Sequence, residues 1–206
     1  MTIIAAATDE QWNELAKLRS ITAWKRVDAP ANFTEYKNAD AFFSLRDNIV
    51  LPEFAAMGKP VFINSVVDTL TDLKAPVNVL RINGWATFLN RSAWEIAGAV
   101  DENIKSIFKS LDLNITTVTD EPGFISARII AMIINEAYFT VDDQVSSKPE
   151  IDTAMKLGTN YPYGPFEWAE LIGCENILAL LQKLNLTDSR YQPADILIKE
   201  VKEIYK

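Results

Sequence analysis

The polar residues that follow the apolar segment Val79–Ile82 mark the first position in the sequence where chemistry is expected. Asn83 comes directly after this segment, and Glu95 follows twelve residues later. Acid/base catalysis needs a side chain that accepts or releases a proton near neutral pH, but the chain contains no histidine. An asparagine amide only forms hydrogen bonds. Proton transfer would therefore depend on a carboxylate, and the candidates are Glu95, Asp68 and Asp120.

Short apolar segments that alternate with helical patterns predict the elements that position these side chains. The predicted strands are 2–7, 21–27, 39–45, 60–64, 78–82 and 114–119, and the predicted helices among them are 9–20 and 101–112. This alternation predicts a mostly parallel sheet, in which ligands lie at the carboxyl ends of the strands.

From Asp120 onward only helical patterns follow, at about 122–144, 148–157, 164–172, 174–184 and 193–205. We therefore predict an α/β domain over residues 1–119 and an all-helical domain over residues 120–206.

Composition excludes several classes of function. The net charge of −8 and the pI of about 4.7 argue against a nucleic-acid surface, which needs clustered positive charge, and against attraction to an anionic membrane. The sequence has no signal-peptide pattern, and its apolar run at 129–134 is too short to span a bilayer. A single cysteine, Cys174, and the lack of histidine argue against a metal site. We expect a cytoplasmic protein.

The positions of the glycines indicate whether the sequence has a nucleotide-binding loop. An α/β domain that binds a dinucleotide needs glycines after its first strand, because only glycine lets the backbone approach a pyrophosphate closely. The first glycine is Gly58, and the pattern G-x-G occurs nowhere. We therefore expect no NAD site and no other bound cofactor.

The helical half resembles the C-terminal domain of the 3-hydroxyacyl-CoA dehydrogenases. That family has a P-G-F-x-x-N-R helix start, an I-N-E-A core, an I-D-x-A-M-K-x-G helix and a Y-P-M-G-P-F-E turn. The matching residues are Pro122-Gly123-Phe124, Arg128, Asn135-Glu136-Ala137, Ile151-Asp152, Ala154-Met155-Lys156, Gly158, Tyr161-Pro162 and Gly164-Pro165-Phe166-Glu167. Most of these residues have structural explanations as helix caps, turns or core. The resemblance therefore predicts the fold more strongly than the function.

The first half is similar to the same family over a shorter stretch. Residues 38–45, 60–70 and 79–96 follow the order of the family's later strands, whereas residues before about 35 have no counterpart. The resemblance implies a shortened, degenerate Rossmann-like domain whose first βαβ unit is deleted or remodelled.

The resemblance also implies roles for individual positions. The family uses a histidine as general base and a glutamate twelve residues later to orient it; these positions hold Asn83 and Glu95. The family serine that contacts the substrate corresponds to Val66, with Ser65 one residue earlier, and the family asparagine corresponds to Ala127. Glu95 is thus the one matching residue of the set, and because no histidine is present for it to orient, a solvated or structurally hydrogen-bonded carboxylate explains it better than a catalytic role does.

Three functions stay open. The first is a relative of 3-hydroxyacyl-CoA dehydrogenase without NAD binding or catalysis, which keeps an acyl or acyl-CoA ligand or a scaffold role. The second is an active NAD-dependent enzyme of fatty-acid metabolism with a divergent site that uses Glu95, Asp68 or Asp120. The third is a protein-interaction module. For each, the resemblance implies a homodimer formed through the helical domain.

Overall fold

A computed structural model describes residues 1–46 and 51–204. The chain divides into two compact units, Met1–Phe124 and Ile125–Lys206. The sequence patterns placed this division slightly earlier, after residue 119.

The first unit is built on one seven-stranded sheet. Its strands are β1 (Ile3–Ala6), β2 (Trp24–Val27), β3 (Ala41–Ser44), β4 (Val61–Asn64), β5 (Val79–Ile82), β6 (Ala93–Ala97) and β7 (Asn114–Val118). They lie in the order β2-β1-β3-β4-β5-β6-β7, and every neighbouring pair is parallel except β5 with β6. The predicted Rossmann-like, mostly parallel sheet is confirmed.

The two faces of this sheet have different covers. On one face, helices α1 (Asp9–Leu15) and α2 (Glu102–Ser110) contribute Leu15, Ile107 and Phe108 to the core. On the other face, two 3₁₀ helices, Pro30–Glu35 and Pro52–Met57, contribute Phe33 and Phe54. Alternate residues of a strand point to opposite faces, and strands β1, β3 and β5 are buried on both faces, as is usual for the inner strands of parallel sheets.

The first βαβ unit is present but short. Strands β1 and β2 pair in parallel across α1, which has only seven residues. The N-cap of α1 is Thr8, whose side chain accepts a hydrogen bond from the Gln11 backbone N–H. The alternative that this unit is deleted is therefore wrong, and the alternative that it is remodelled agrees with the structure.

Sequence analysis missed strand β6. Its residues alternate between buried Trp94 and Ile96 and the more accessible Ala93 and Glu95, which is the period expected for a strand. The sequence patterns predict no element between residues 82 and 101.

The described residues of the second unit, 125–204, form helices and the turns between them, as predicted. The helices are α3 (Ser126–Asp142), α4 (Lys148–Thr159), α5 (Pro165–Ile172), α6 (Cys174–Asn185) and α7 (Asp195–Ile204), with a 3₁₀ turn at Ser189–Tyr191. Helix α3 begins four residues later than predicted, because Gly123 and Phe124 have positive φ angles of 88° and 50° and cannot continue a helix. The last residue of the predicted helix 193–205 lies outside the described residues. The described helices include none with the length and apolar composition needed to cross a bilayer.

Candidate functional site

The antiparallel pair β5–β6 brings Asn83 and Glu95 to the same end of the two strands. Arg81 pairs with Ala97 and Ile82 with Ile96, and Asn83 and Glu95 are the next residues after this last pair. Asn83 is only 7% exposed, and its side-chain oxygen accepts a hydrogen bond of 3.2 Å from the Trp85 backbone N–H. The twelve-residue spacing therefore corresponds to a structural juxtaposition.

Glu95 lies in the electrostatic field of a nearby arginine. It is half-buried in the middle of β6. Burial lowers the pKa of Arg91, and the charges of Glu95 and Glu14 oppose that shift. The Arg91 side chain donates to the Thr87 carbonyl at 3.1 Å and lies 4.0 Å from the Phe88 ring centre. Glu95 thus interacts with the positive charge of Arg91, whereas the histidine position that the resemblance implies holds Asn83.

The serine position holds no accessible hydroxyl. Ser65 is 1% exposed, and its hydroxyl donates to the Asp68 carbonyl at 2.7 Å. Val66 is 3% exposed, and its carbonyl accepts from the Gly123 N–H at 2.8 Å. For Ser65 to take the position of Val66, its hydrogen bond to the Asp68 carbonyl would first have to break.

Asp120, one of the three carboxylate candidates, is the partner of a buried arginine. Its carboxylate lies 2.6 Å from the guanidinium of Arg81, whose side chain is 0% exposed. The same carboxylate accepts the backbone N–H groups of Leu70 and Thr71, at 3.0 and 3.3 Å. Burial lowers the pKa of Arg81, whereas its hydrogen bond to Asp120 opposes that shift. This arrangement makes Asp120 a structural counter-ion.

Arg81 joins the loop after β4 to the segment around Glu121. The sequence patterns do not predict this role. Arg81 donates to the Ser65 carbonyl at 2.8 Å and to the carbonyls of Val66 and Glu121 at 3.3 Å. Its guanidinium also lies 4.8 Å from the Phe124 ring centre. The available signal was a single arginine within an otherwise apolar strand, since such a residue needs several hydrogen-bond partners.

Two side-chain amides bridge the carboxyl ends of the central strands. Gln11, in the first turn of α1, donates to the carbonyls of Leu45 and Gly84 at 2.7 and 3.2 Å. Asn64, the last residue of β4, also donates to the Leu45 carbonyl, at 3.1 Å, and accepts the Gly84 N–H at 2.9 Å. A Cβ atom on Gly84 would come within 2.8 Å of Asn64, so only glycine fits there. These side chains occupy the edge where an open sheet of this kind normally binds its ligand.

The start of α1 is bound to the rest of the first unit by its own acidic residues. Two acidic residues, Asp9 and Glu10, lie in its first turn, and Asp9 is 2.7 Å from Arg26. One turn later, Glu14 accepts the backbone N–H groups of Thr87 and Leu89 at 2.5 and 3.0 Å. Helix α1 therefore fixes the loop that follows Asn83, and carboxylates line the helix start.

The remaining predicted positions are buried. Ala127 is 0% exposed at the beginning of α3 in the second unit, and its methyl group cannot hydrogen-bond a ligand. Of the aromatic residues near Asn83, Trp94 packs in the core 6.0 Å from both Phe43 and Phe108, ring centre to ring centre. Trp85 and Phe88 are 7% and 4% exposed. Packing therefore accounts for Trp94.

In the helical unit, residues that match the family motif form hydrogen bonds and ion pairs at the ends of helices. Asn135 donates to the Gln192 carbonyl and accepts the Ala194 N–H, both at 2.9 Å, just before α7. Asp152 of α4 accepts the Phe166 N–H at 2.8 Å in the first turn of α5. Lys156 and Glu167 form an ion pair between the same two helices. The resemblance in this unit thus depends on residues that determine the fold.

Comparison with known proteins agrees with this interpretation. Residues 123–204 match the family model of the 3-hydroxyacyl-CoA dehydrogenase C-terminal domain. A 3-hydroxyadipyl-CoA dehydrogenase of Escherichia coli K12 is 45% identical over 82 residues, which are 39% of this chain and 17% of that protein. A 3-hydroxybutyryl-CoA dehydrogenase of Bradyrhizobium diazoefficiens is 39% identical over 105 residues, which are 50% of this chain and 36% of that protein. The chain thus matches well under half the length of these relatives.

Solved structures match over nearly the whole chain. The crystal structure of (S)-3-hydroxybutyryl-CoA dehydrogenase from Ralstonia eutropha superposes with a TM-score of 0.75, covering 99% of this chain and 93% of that one. The sequence identity in this superposition is 19%, so the likeness establishes the fold.

Proposed function

Because residues 123–204 belong to the 3-hydroxyacyl-CoA dehydrogenase C-terminal domain family, we propose that this dehydrogenase-like protein has lost NAD binding and hydride transfer. The observation that carries the proposal is the junction of β1 and α1. Only Ala7 and Thr8 separate the two elements, and neither is a glycine. A pyrophosphate at this helix start would meet the carboxylates of Asp9 and Glu10, which repel it.

The side chains at the strand ends support the same proposal. Gln11 and Asn64 already hydrogen-bond the backbone groups at this edge, so a dinucleotide would have to displace them. The residues present therefore do not fit NAD.

The base position supports loss of catalysis. Oxidation of a hydroxyl by hydride transfer also requires removal of the hydroxyl proton. Asn83 cannot accept that proton, and Asp120 is bound to Arg81 and two backbone N–H groups. Ser65 and Ala127 offer no free polar group.

A turnover assay tests this proposal. Purified protein with acetoacetyl-CoA and NADH should consume NADH no faster than buffer does, by absorbance at the NADH band. The matched control is the Asn83→His variant, which restores the base without the cofactor site and should also be inactive. Turnover of the unaltered protein above background would contradict the proposal.

A second candidate, an active dehydrogenase with a divergent site, depends on Glu95. This half-buried carboxylate lies at the same end of the strand pair as Asn83, and a carboxylate within hydrogen-bond reach of a substrate hydroxyl accepts its proton. In the same assay, this candidate predicts turnover that Glu95→Gln abolishes and that Asp68→Asn leaves unchanged.

The proposed function keeps a ligand of the acyl or acyl-CoA class, as the family resemblance implies. Native mass spectrometry of the purified protein with short-chain acyl-CoAs and with NAD separates the two binding properties. We expect an adduct with an acyl-CoA and none with NAD. An NAD adduct alone would contradict both parts of the proposal.

We further propose that α3 forms a homodimer surface. Ile125 and Ile129 are 52% and 54% exposed, and the partly buried Met132 and Ile133 continue the same helix face toward a cleft of about 500 Å³. Sedimentation velocity at several concentrations should show a dimer that Ile129→Glu dissociates. The control Leu157→Glu changes a residue on α4 that is 82% exposed and should leave the dimer intact. A monomer at every concentration would contradict this assembly.

A further inference from the structure

Helix α1 presents two side chains to the loop that joins β5 and β6. Gln11 and Glu14 are three residues apart, so they lie on the same face of the helix. Gln11 donates to the Gly84 carbonyl at 3.2 Å. Glu14 accepts the backbone N–H groups of Thr87 and Leu89, at 2.5 and 3.0 Å. One helix face thus supplies both a donor and an acceptor to the backbone of this loop.

The two N–H groups converge on the carboxylate of Glu14 from a single turn. The Thr87 N–H donates to Oε1, and the Leu89 N–H donates to Oε2. Residues 86–90 form a turn, and backbone N–H groups that converge from a turn form an anion-binding concavity. Thr87 and Leu89 are 8% and 0% exposed, so their N–H groups need an acceptor. The turn therefore has the geometry to bind a carboxylate through both of its oxygens.

The backbone of Thr87 is strained in this conformation. Its φ angle is 76°, a left-handed value that is an outlier for a β-branched residue. Strained residues of this kind cluster at ligand clamps, because the surrounding contacts have to hold them in place. The Thr87 N–H is held by Glu14, and the Thr87 carbonyl accepts from Nε of Arg91 at 3.1 Å. Contacts on both sides of Thr87 therefore maintain the conformation that directs its N–H at a carboxylate.

The charge next to the turn also favours an anion. The guanidinium of Arg91 lies 4.0 Å from the Phe88 ring centre, and its positive charge interacts with the carboxylates of Glu14 and Glu95. Glu14 is only half-buried, so solvent reaches this part of the loop. A small carboxylate from solvent would therefore meet two N–H donors and a nearby positive charge once the Glu14 side chain is removed.

We propose that the turn 86–90 is a carboxylate-binding site and that Glu14 occupies it in the free protein as an autoinhibitory ligand. Because Glu14 is held on α1 in the same unit, its effective concentration at the turn is far above that of a ligand in solution. The unaltered protein therefore excludes carboxylate ligands from this site, and removal of the Glu14 carboxylate opens it. The proposal does not depend on the loss of NAD binding or of catalysis.

Amide NMR on the full chain tests the proposal with sodium acetate as the probe. In Glu14→Ala, acetate should shift the Thr87 and Leu89 amide signals to saturation, with a Kd on the order of 10 mM. In the unaltered protein, the same signals should stay in place up to about 100 mM acetate, because Glu14 competes for both N–H groups. Acetamide, which has the same shape and no charge, should bind to Glu14→Ala at least ~5-fold more weakly than acetate.

Two further variants complete the experiment. Glu10→Ala removes an exposed carboxylate from the same helix, and its Thr87 and Leu89 signals should not respond to acetate. The double variant Glu14→Ala/Thr87→Gly covers the case in which Glu14→Ala does not fold, because glycine adopts a positive φ angle without strain. Its two N–H groups are retained, so it should bind acetate within ~2-fold of Glu14→Ala.

Four results would overturn the proposal. The first is a pair of amide signals in the folded Glu14 variants that acetate up to about 100 mM does not shift. The second is an equal response of the unaltered protein, which would mean that Glu14 does not occupy the site. The third is equal binding of acetamide. The fourth is failure of both Glu14 variants to fold even in acetate, because bound acetate should replace the missing acceptor.

Discussion

Removal of the Asp120 carboxylate is expected to destabilise the first unit strongly. In Asp120→Ala, the guanidinium of Arg81 would stay in a site where its side chain is 0% exposed, without its counter-ion at 2.6 Å. Breaking a buried ion pair by removing one partner costs about 3–5 kcal/mol. The Asp120 side chain is 26% exposed, so water offsets part of this cost, and we expect about 3 kcal/mol.

Amide hydrogen exchange measures this change within the first unit. Peptides that cover β5 should exchange about 100-fold faster in Asp120→Ala, since each 1.4 kcal/mol changes an opening equilibrium about tenfold. Asp72→Ala is the control, because Asp72 accepts the Thr69 N–H at 2.9 Å as a local cap. Its loss should cost about 1 kcal/mol. Equal effects of Asp72→Ala and Asp120→Ala would refute the assignment of Arg81–Asp120 as the main contact.

Three further outcomes concern the helical unit. Gly164→Ala should destabilise this unit by at least about 2 kcal/mol in thermal unfolding, because a Cβ atom there would lie 2.2 Å from a carboxylate oxygen of Asp152 in α4. The control Gly158→Ala should be neutral or stabilising, because a Cβ atom there would have no other atom within 4 Å. The hydrogen bond from Lys156 lowers the pKa of Glu167, and a carboxylate with a lowered pKa stabilises the fold only while it is ionised. Lys156→Met should therefore raise the pKa of Glu167 in an NMR titration. The free energy of unfolding of this variant should also fall less as the pH is lowered. Burial raises the pKa of the Cys174 thiol, so a thiol reagent at pH 8 should modify it at the rate of unfolding, and fast modification of the folded chain would contradict its buried position.

The sequence predicted most of the sheet because its strands are short, apolar and separated by clear breaks. The helical unit was also predictable, since its caps and turns depend on fixed residues such as Asp152 and Gly164. Strand β6 was missed because its antiparallel partner lies across a loop, and a single sequence does not show which strands pair.

The site was predictable where it depends on spacing along the chain. The twelve-residue spacing between Asn83 and Glu95 places both residues next to the last pair of the antiparallel strands β5 and β6. The contacts of Gln11, Glu14 and Arg81 were not predictable, since their partners lie tens of residues away, at separations of up to 75 residues. Such long-range polar contacts follow from the topology and not from a local pattern.

The most direct test of the central claim is a titration of the purified protein with NADH, followed by NADH fluorescence. The proposed loss of the cofactor site predicts a linear signal without saturation up to about 1 mM NADH, the same as with buffer alone. A saturable change with a Kd in the micromolar range would contradict it, because it would mean that a dinucleotide displaces Gln11 and Asn64 from the strand ends and tolerates the carboxylates at the start of α1.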